Sequence, residues 1–154
     1  MVQDAANRGD GGEALDGRSH HGGAEARKAS DWRVAHEALV CLARSRAGLD
    51  FNEGQRLLAA LRSGAHLRLG YGSFAEYIER LFGYAPRLTY EKLRVAAALD
   101  ELPTLKRALS DGETNWSVLR ELTRVATPET ESAWLGAARG RTMREVERLV
   151  SGHR

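Results

Sequence analysis

The sequence predicts an all-α protein, a compact bundle of about seven or eight helices containing a helix-turn-helix-like corner. Three observations carry this expectation. The 154-residue chain is 42% hydrophobic but only 6% aromatic, so its core must come from Leu, Val and Ala, a mix that favours helices over strands. Only three prolines interrupt it. Helix start and stop signals recur at nearly every boundary beyond residue 30, and no alternating run is long enough for a sheet.

The elements follow in order. Residues 1–30, with "RGDGGEALDGRSHHGGAEARKAS", mix glycine and both charge signs with almost nothing apolar, so a disordered tail is expected there. His20 and His21 are adjacent on that segment, a pattern that rarely makes a metal site. Residues 31–154 form a single helical domain. "DWRVAHEALVCLARSRAGLD" carries Val34, Leu39, Leu42 and Leu49 near helical spacing. A second helix is expected to open at Asp50, with Glu53 as its N3 acid and Leu57, Leu58, Leu61 and Leu67 on one side, Gly64 weakening its far end. Ser73 and Glu76 then form a capping box for a helix ending at Gly83. Pro86 suits the first turn of the next helix, which runs to about Leu102. A helix follows from Pro103 to Gly112, and another begins after Asn115 or Ser117. Thr127-Pro128 opens "TPETESAWLGAARG", and Thr142 with Glu145 caps the last helix. The helices share no spaced signature, so a bundle fits better than a solenoid.

A formal charge of +2 advertises no polyanionic partner for the chain as a whole. Cys41, the only cysteine, sits in an apolar helical run and reads as a buried free thiol, which rules out an internal disulfide. No apolar run approaches the roughly 18 residues of a membrane span. The N-terminus has no apolar block of the signal-peptide kind. A cytoplasmic location is therefore the default expectation.

Enzymatic constellations are mostly absent from the sequence. There is no Gly-rich phosphate loop, no HExxH motif and no nucleophile elbow. His36, His66 and His153 are far apart, and no metal site or cofactor is expected. Glu129, Glu131, Glu145 and Glu147 lie at helix starts, where acids serve the macrodipole and local pairing better than paired acid–base catalysis. Nucleic acid is the remaining class. From Arg56 to Arg94 there are seven basic residues against three acids, an excess of four that exceeds the charge of the whole chain. Tyr71, Tyr77, Tyr84 and Tyr90 are interleaved with them.

The corner at residues 73–102 is the place to look for contacts. Ile78, Phe82 and Tyr84 supply the apolar residues that a helix-turn-helix wants around its turn glycine, Gly83. Glu79 stands where a small residue is usual. In the second helix Leu88, Val95, Leu99 and Leu102 share one side, while Tyr90, Leu93 and Ala97 lie nearly opposite. The strip between carries Arg87, Glu91 and Arg94, with Glu91 placed to pair with both arginines. Arg87, Lys92 and Arg94, with Arg80 and Arg68 beside them, are the candidate nucleic-acid contacts.

From Gly70-Tyr71-Gly72-Ser73-Phe74-Ala75-Glu76-Tyr77, through Phe82-Gly83-Tyr84, Arg94-Val95-Ala96, Leu102-Pro103 and Trp116-Ser117 to "RELTRVATPETE", the chain resembles the helical region in front of bacterial HNH endonuclease domains. The similarity covers roughly residues 31–153 and rests on helix-packing signatures. It implies that this region helps to engage DNA while a separate C-terminal module cuts it. An HNH module needs a histidine general base, metal-ligating His or Asp and an Asn-positioned ββα element, and none of these is present. Ala85 also stands where relatives often have a capping Ser, a loss of about 1 kcal/mol. The expected function is a non-catalytic DNA-binding accessory module, truncated or free-standing, with duplex DNA as partner. The alternative is a helical protein-interaction or dimerisation module, binding a partner protein or a second copy.

Overall fold

The computed structural model describes the backbone of residues 21–153 and the side chains of residues 31–153. Eight helices are present among the described residues: α1 (His21–Arg62), α2 (Ala65–Arg68), α3 (Phe74–Phe82), α4 (Pro86–Asp100), α5 (Pro103–Ser110), α6 (Trp116–Leu122), α7 (Glu131–Ala138) and α8 (Met143–Ser151). No strand occurs among them. The expected tail, residues 1–30, and its His20–His21 pair fall largely outside the described residues; the backbone of α1 begins at His21. The chain divides into two units, Met1–Glu37 and Ala38–Arg154. In the first, the described side chains of residues 31–37 are solvent-exposed, and the Arg33 guanidinium lies over the Trp32 ring at 5.4 Å.

In the second unit the helices pack around two apolar clusters. One gathers Ala47 of α1, Val95 and Leu99 of α4, Leu105 and Leu109 of α5, Leu119 and Leu122 of α6, Leu135 of α7 and Val146 and Val150 of α8. The other joins Leu57 and Leu58 of α1 to Phe74 and Ile78 of α3 and Leu93 and Ala96 of α4. Helix α4 serves both, because two faces of one helix about 100° apart carry apolar residues. Burial on two sides was expected of it, but the second face is Thr89, Leu93 and Ala96, while Tyr90 and Ala97 are exposed.

Two boundaries differ from the sequence reading. Helix α1 runs through Asp50 without a break, so Asp50 and Glu53 are not caps. Gly54 lets it approach α4: a Cβ there would lie 3.1 Å from that of Ala96. Helix α7 starts at Glu131, not at Thr127, because the Thr127 N–H donates to Thr130 Oγ1 in a turn before the helix. Cys41, expected to be buried, is exposed, as are Leu39, Leu42, Leu49 and Leu67.

The capping signals elsewhere mark the helix starts. Ser73 Oγ accepts the Glu76 N–H at 3.1 Å, while the Glu76 carboxylate accepts from Gly72. Asn115 Oδ1 accepts the Val118 N–H at the start of α6. Glu145 accepts both the N–H and the hydroxyl of Thr142 at 2.7 Å, which holds its carboxyl below the usual range. Gly112 takes φ 71° where the chain turns after α5, with Arg44 so close that a Cβ would meet it at 2.8 Å.

Candidate nucleic-acid interface

Helix α3 ends at Gly83, which adopts φ 71° and donates its N–H to Glu79 O at 2.8 Å. Only a residue without Cβ takes this left-handed turn at no steric cost. Tyr84 and Ala85 then lead to Pro86 at the first position of α4, and no side chain caps the helix at Ala85. Ile78 is fully buried, but Phe82 is half exposed, its ring stacked at 5.3 Å on that of Tyr84. Glu79 is exposed, so the helices do not cross closely at that position.

The five candidate contacts separate into two groups. Arg68 at the end of α2, Arg80 in the last turn of α3 and Arg87 in the first turn of α4 are exposed, with no ion pair among the described residues. Helix α2 reaches α3 through His66, whose ring meets that of Phe74 edge-on at 5.5 Å. The three arginines therefore sit on three successive, contacting helices around the corner.

Lys92 and Arg94 are engaged inside the fold. Lys92 is only 7% exposed; its Nζ lies 3.2 Å from Glu53 Oε1 and 3.6 Å from Asp50 Oδ1. The rings of Trp116 and Tyr84 flank it at 4.9 and 5.4 Å. Its position explains why: Lys92 is four residues after Leu88 and three before Val95, on the buried face of α4. The Tyr84 hydroxyl donates to Glu53 Oε2 at 3.3 Å, and burial, then the Glu53 charge, push its pKa up. Arg94 donates to Thr123 Oγ1 at 3.2 Å and to Arg120 O at 3.0 Å, bracing α4 against the C-terminal turn of α6. Burial, followed by the neighbouring Arg124 charge, lowers its pKa.

The expected Arg87–Glu91–Arg94 triad does not form. Glu91 pairs with Arg124 of the segment after α6 at 3.1 Å. Arg124 also reaches Glu121 at 3.2 Å, Glu121 pairs with Arg120, and Arg120 reaches Glu147 of α8. Around buried Glu121 this polar network joins α4, α6 and α8. Arg87 is consequently left without its expected partner.

The acids weighed as catalytic candidates have structural roles as well. Buried Glu131 accepts the Thr104 and Leu105 N–H groups at 3.0 Å each, capping α5 from α7. Among the described residues no three His, Cys, Asp or Glu side chains come together as a metal site, and no helix is long and apolar enough to cross a membrane. Comparison with protein-family models, curated proteins and solved structures finds no match.

Proposed function

We propose that this chain is a non-catalytic helical module that contacts the phosphate backbone of duplex DNA, as its resemblance to HNH-associated helical regions implies. The observation that carries the reading is the trio Arg68, Arg80 and Arg87, exposed and free of ion pairs among the described residues. Unpaired guanidinium groups on contacting helices suit phosphate, which they can bind through two parallel hydrogen bonds. Lys92 and Arg94 drop out of the contact set, since their charges are held by protein groups. With α4 buried on two sides, little of it is free to enter a groove, so the module holds DNA without reading much sequence.

Three phosphate contacts give a log–log salt slope near −2.7, or about a forty-fold loss of affinity from 50 to 200 mM salt. Fluorescence anisotropy with labelled duplexes measures this, and unrelated sequences should bind alike. Replacing Arg80 and Arg87 together by Ala should reduce the slope by about two. Binding insensitive to salt, or unchanged in the double variant, overturns the reading. A second reading, a protein-interaction module, is favoured by a different observation: the apolar side chains exposed along α1.

A further inference from the structure

We infer that the chain pairs with a second copy of itself, antiparallel, through the exposed face of α1 and the groove between α1 and α3. This goes beyond the DNA reading and does not rest on it. The groove, about 550 Å³, has Leu49, Leu57 and Ala60 of α1 on one side and Ile78, Leu81 and Phe82 of α3 on the other. Among the described residues no helix packs over the same face of α1 toward its N-terminus, and a ridge of leucines stands open there. Leu39 is 65% exposed, Leu42 64% and Leu49 68%; at the groove wall Leu81 is 58% and Phe82 50% exposed.

Ridge and groove lie on one line. At 100° per residue, Leu42, Leu49, Arg56 and Ala60 fall within about 40° of arc, and Leu39 and Leu57 lie together about 60° to one side. A helix with a ridge and a groove end to end on one face is complementary to its own antiparallel copy. A two-fold axis between Leu49 and Asp50 sets Leu39 of each copy against Ala60 of the other, and Leu42 against Leu57. The same register brings Arg46, exposed and free of ion pairs among the described residues, to the rim of the groove beside Glu53, whose carboxylate is already held by Lys92 and Tyr84. The alignment of ridge and groove thus points to one isologous arrangement.

The area approaches what a stable pair needs. The five exposed apolar side chains present on the order of 500 Å² per copy, near the top of what monomers leave open, and the stems of Arg46, Asn52 and Arg56 extend it toward the ~800 Å² per partner of a standard interface.

Sedimentation equilibrium of the full chain without DNA, at tens of micromolar, should give a dimer. Leu42→Glu should keep the helical circular dichroism, since Leu42 is exposed in the single chain, and weaken pairing by roughly a hundredfold. Should that variant fail to fold, cysteine cross-linking decides instead. In a Cys41→Ser background, Leu39→Cys mixed with Ala60→Cys should form a disulfide between copies. A monomeric wild-type chain overturns the proposal. So does the absence of that cross-link, or preferential coupling of Leu39→Cys to itself, which marks a parallel pair.

Discussion

Lys92 shows how a charge on a DNA-facing list becomes a structural group. A buried ammonium is costly unless ion-paired, and Asp50, Glu53 and two aromatic rings surround this one. Lys92→Met removes the cation but leaves two acids, their side chains 25% and 19% exposed, so the loss should fall at the lower end for a broken buried pair. We expect about 2–3 kcal/mol, read as a lower urea midpoint, with the salt slope of DNA binding unchanged. A flatter slope would return Lys92 to the contact set. Its burial was legible in the sequence, since Leu88, Val95 and Leu99 bracket it at helical spacing. Its partners were not: Asp50 and Glu53 lie some forty residues away and resemble a helix start. Periodicity put Arg87 and Arg94 on one polar strip of α4, but only Arg87 is exposed there, since Arg94 is drawn to α6.

Helix α5 owes its start to a distant residue. Leu102 offers no side-chain cap, and the Glu131 carboxylate accepts two of the free N–H groups at the opposite side of the α5–α7 contact. Glu131→Gln keeps the shape and removes the charge. It should cost about 1–2 kcal/mol, a drop in Tm of about 3–6 °C; an unchanged Tm would mean that the cap contributes nothing. Local signals found the ends of α3, α6 and α8, because Ser73, Asn115 and the Thr142–Glu145 pair act within one turn. They failed at Asp50 and Thr127 for the opposite reason. At Asp50 the acids answer a lysine on α4, and at Thr127 the hydroxyl–backbone turn to Thr130 delays the helix. A cap motif states that backbone groups can be satisfied locally; only the fold decides whether they are.

Within Ala38–Arg154 the two apolar clusters are joined by α4, which gives Val95 and Leu99 to one and Leu93 and Ala96 to the other. Leu93→Ala, a deletion in the smaller cluster, should cost about 2–4 kcal/mol. Because α4 is common, the fluorescence of Trp116 and Trp134, which pack against the larger cluster, should shift its midpoint together with the circular dichroism. Separate midpoints would mean that the clusters unfold independently. The all-helical class was readable from composition, while the division of the core was not, because a two-faced helix looks the same whether its faces meet one cluster or two. The two proposed contacts use different side chains: Arg68, Arg80 and Arg87 for DNA, and leucines of α1 with Leu81 and Phe82 of α3 for a second copy.

The double burial of α4 also limits how this corner can change. Most of its positions hold a cluster, the Lys92 pair or the α6 brace, and a substitution there must be matched by a change on another helix. Arg87, Tyr90 and Ala97 are exposed along one strip and make no ion pair or side-chain hydrogen bond among the described residues. A new preference for a ligand can be acquired on this helix, one residue at a time, only along that strip. The remainder can change only in concert with its neighbours.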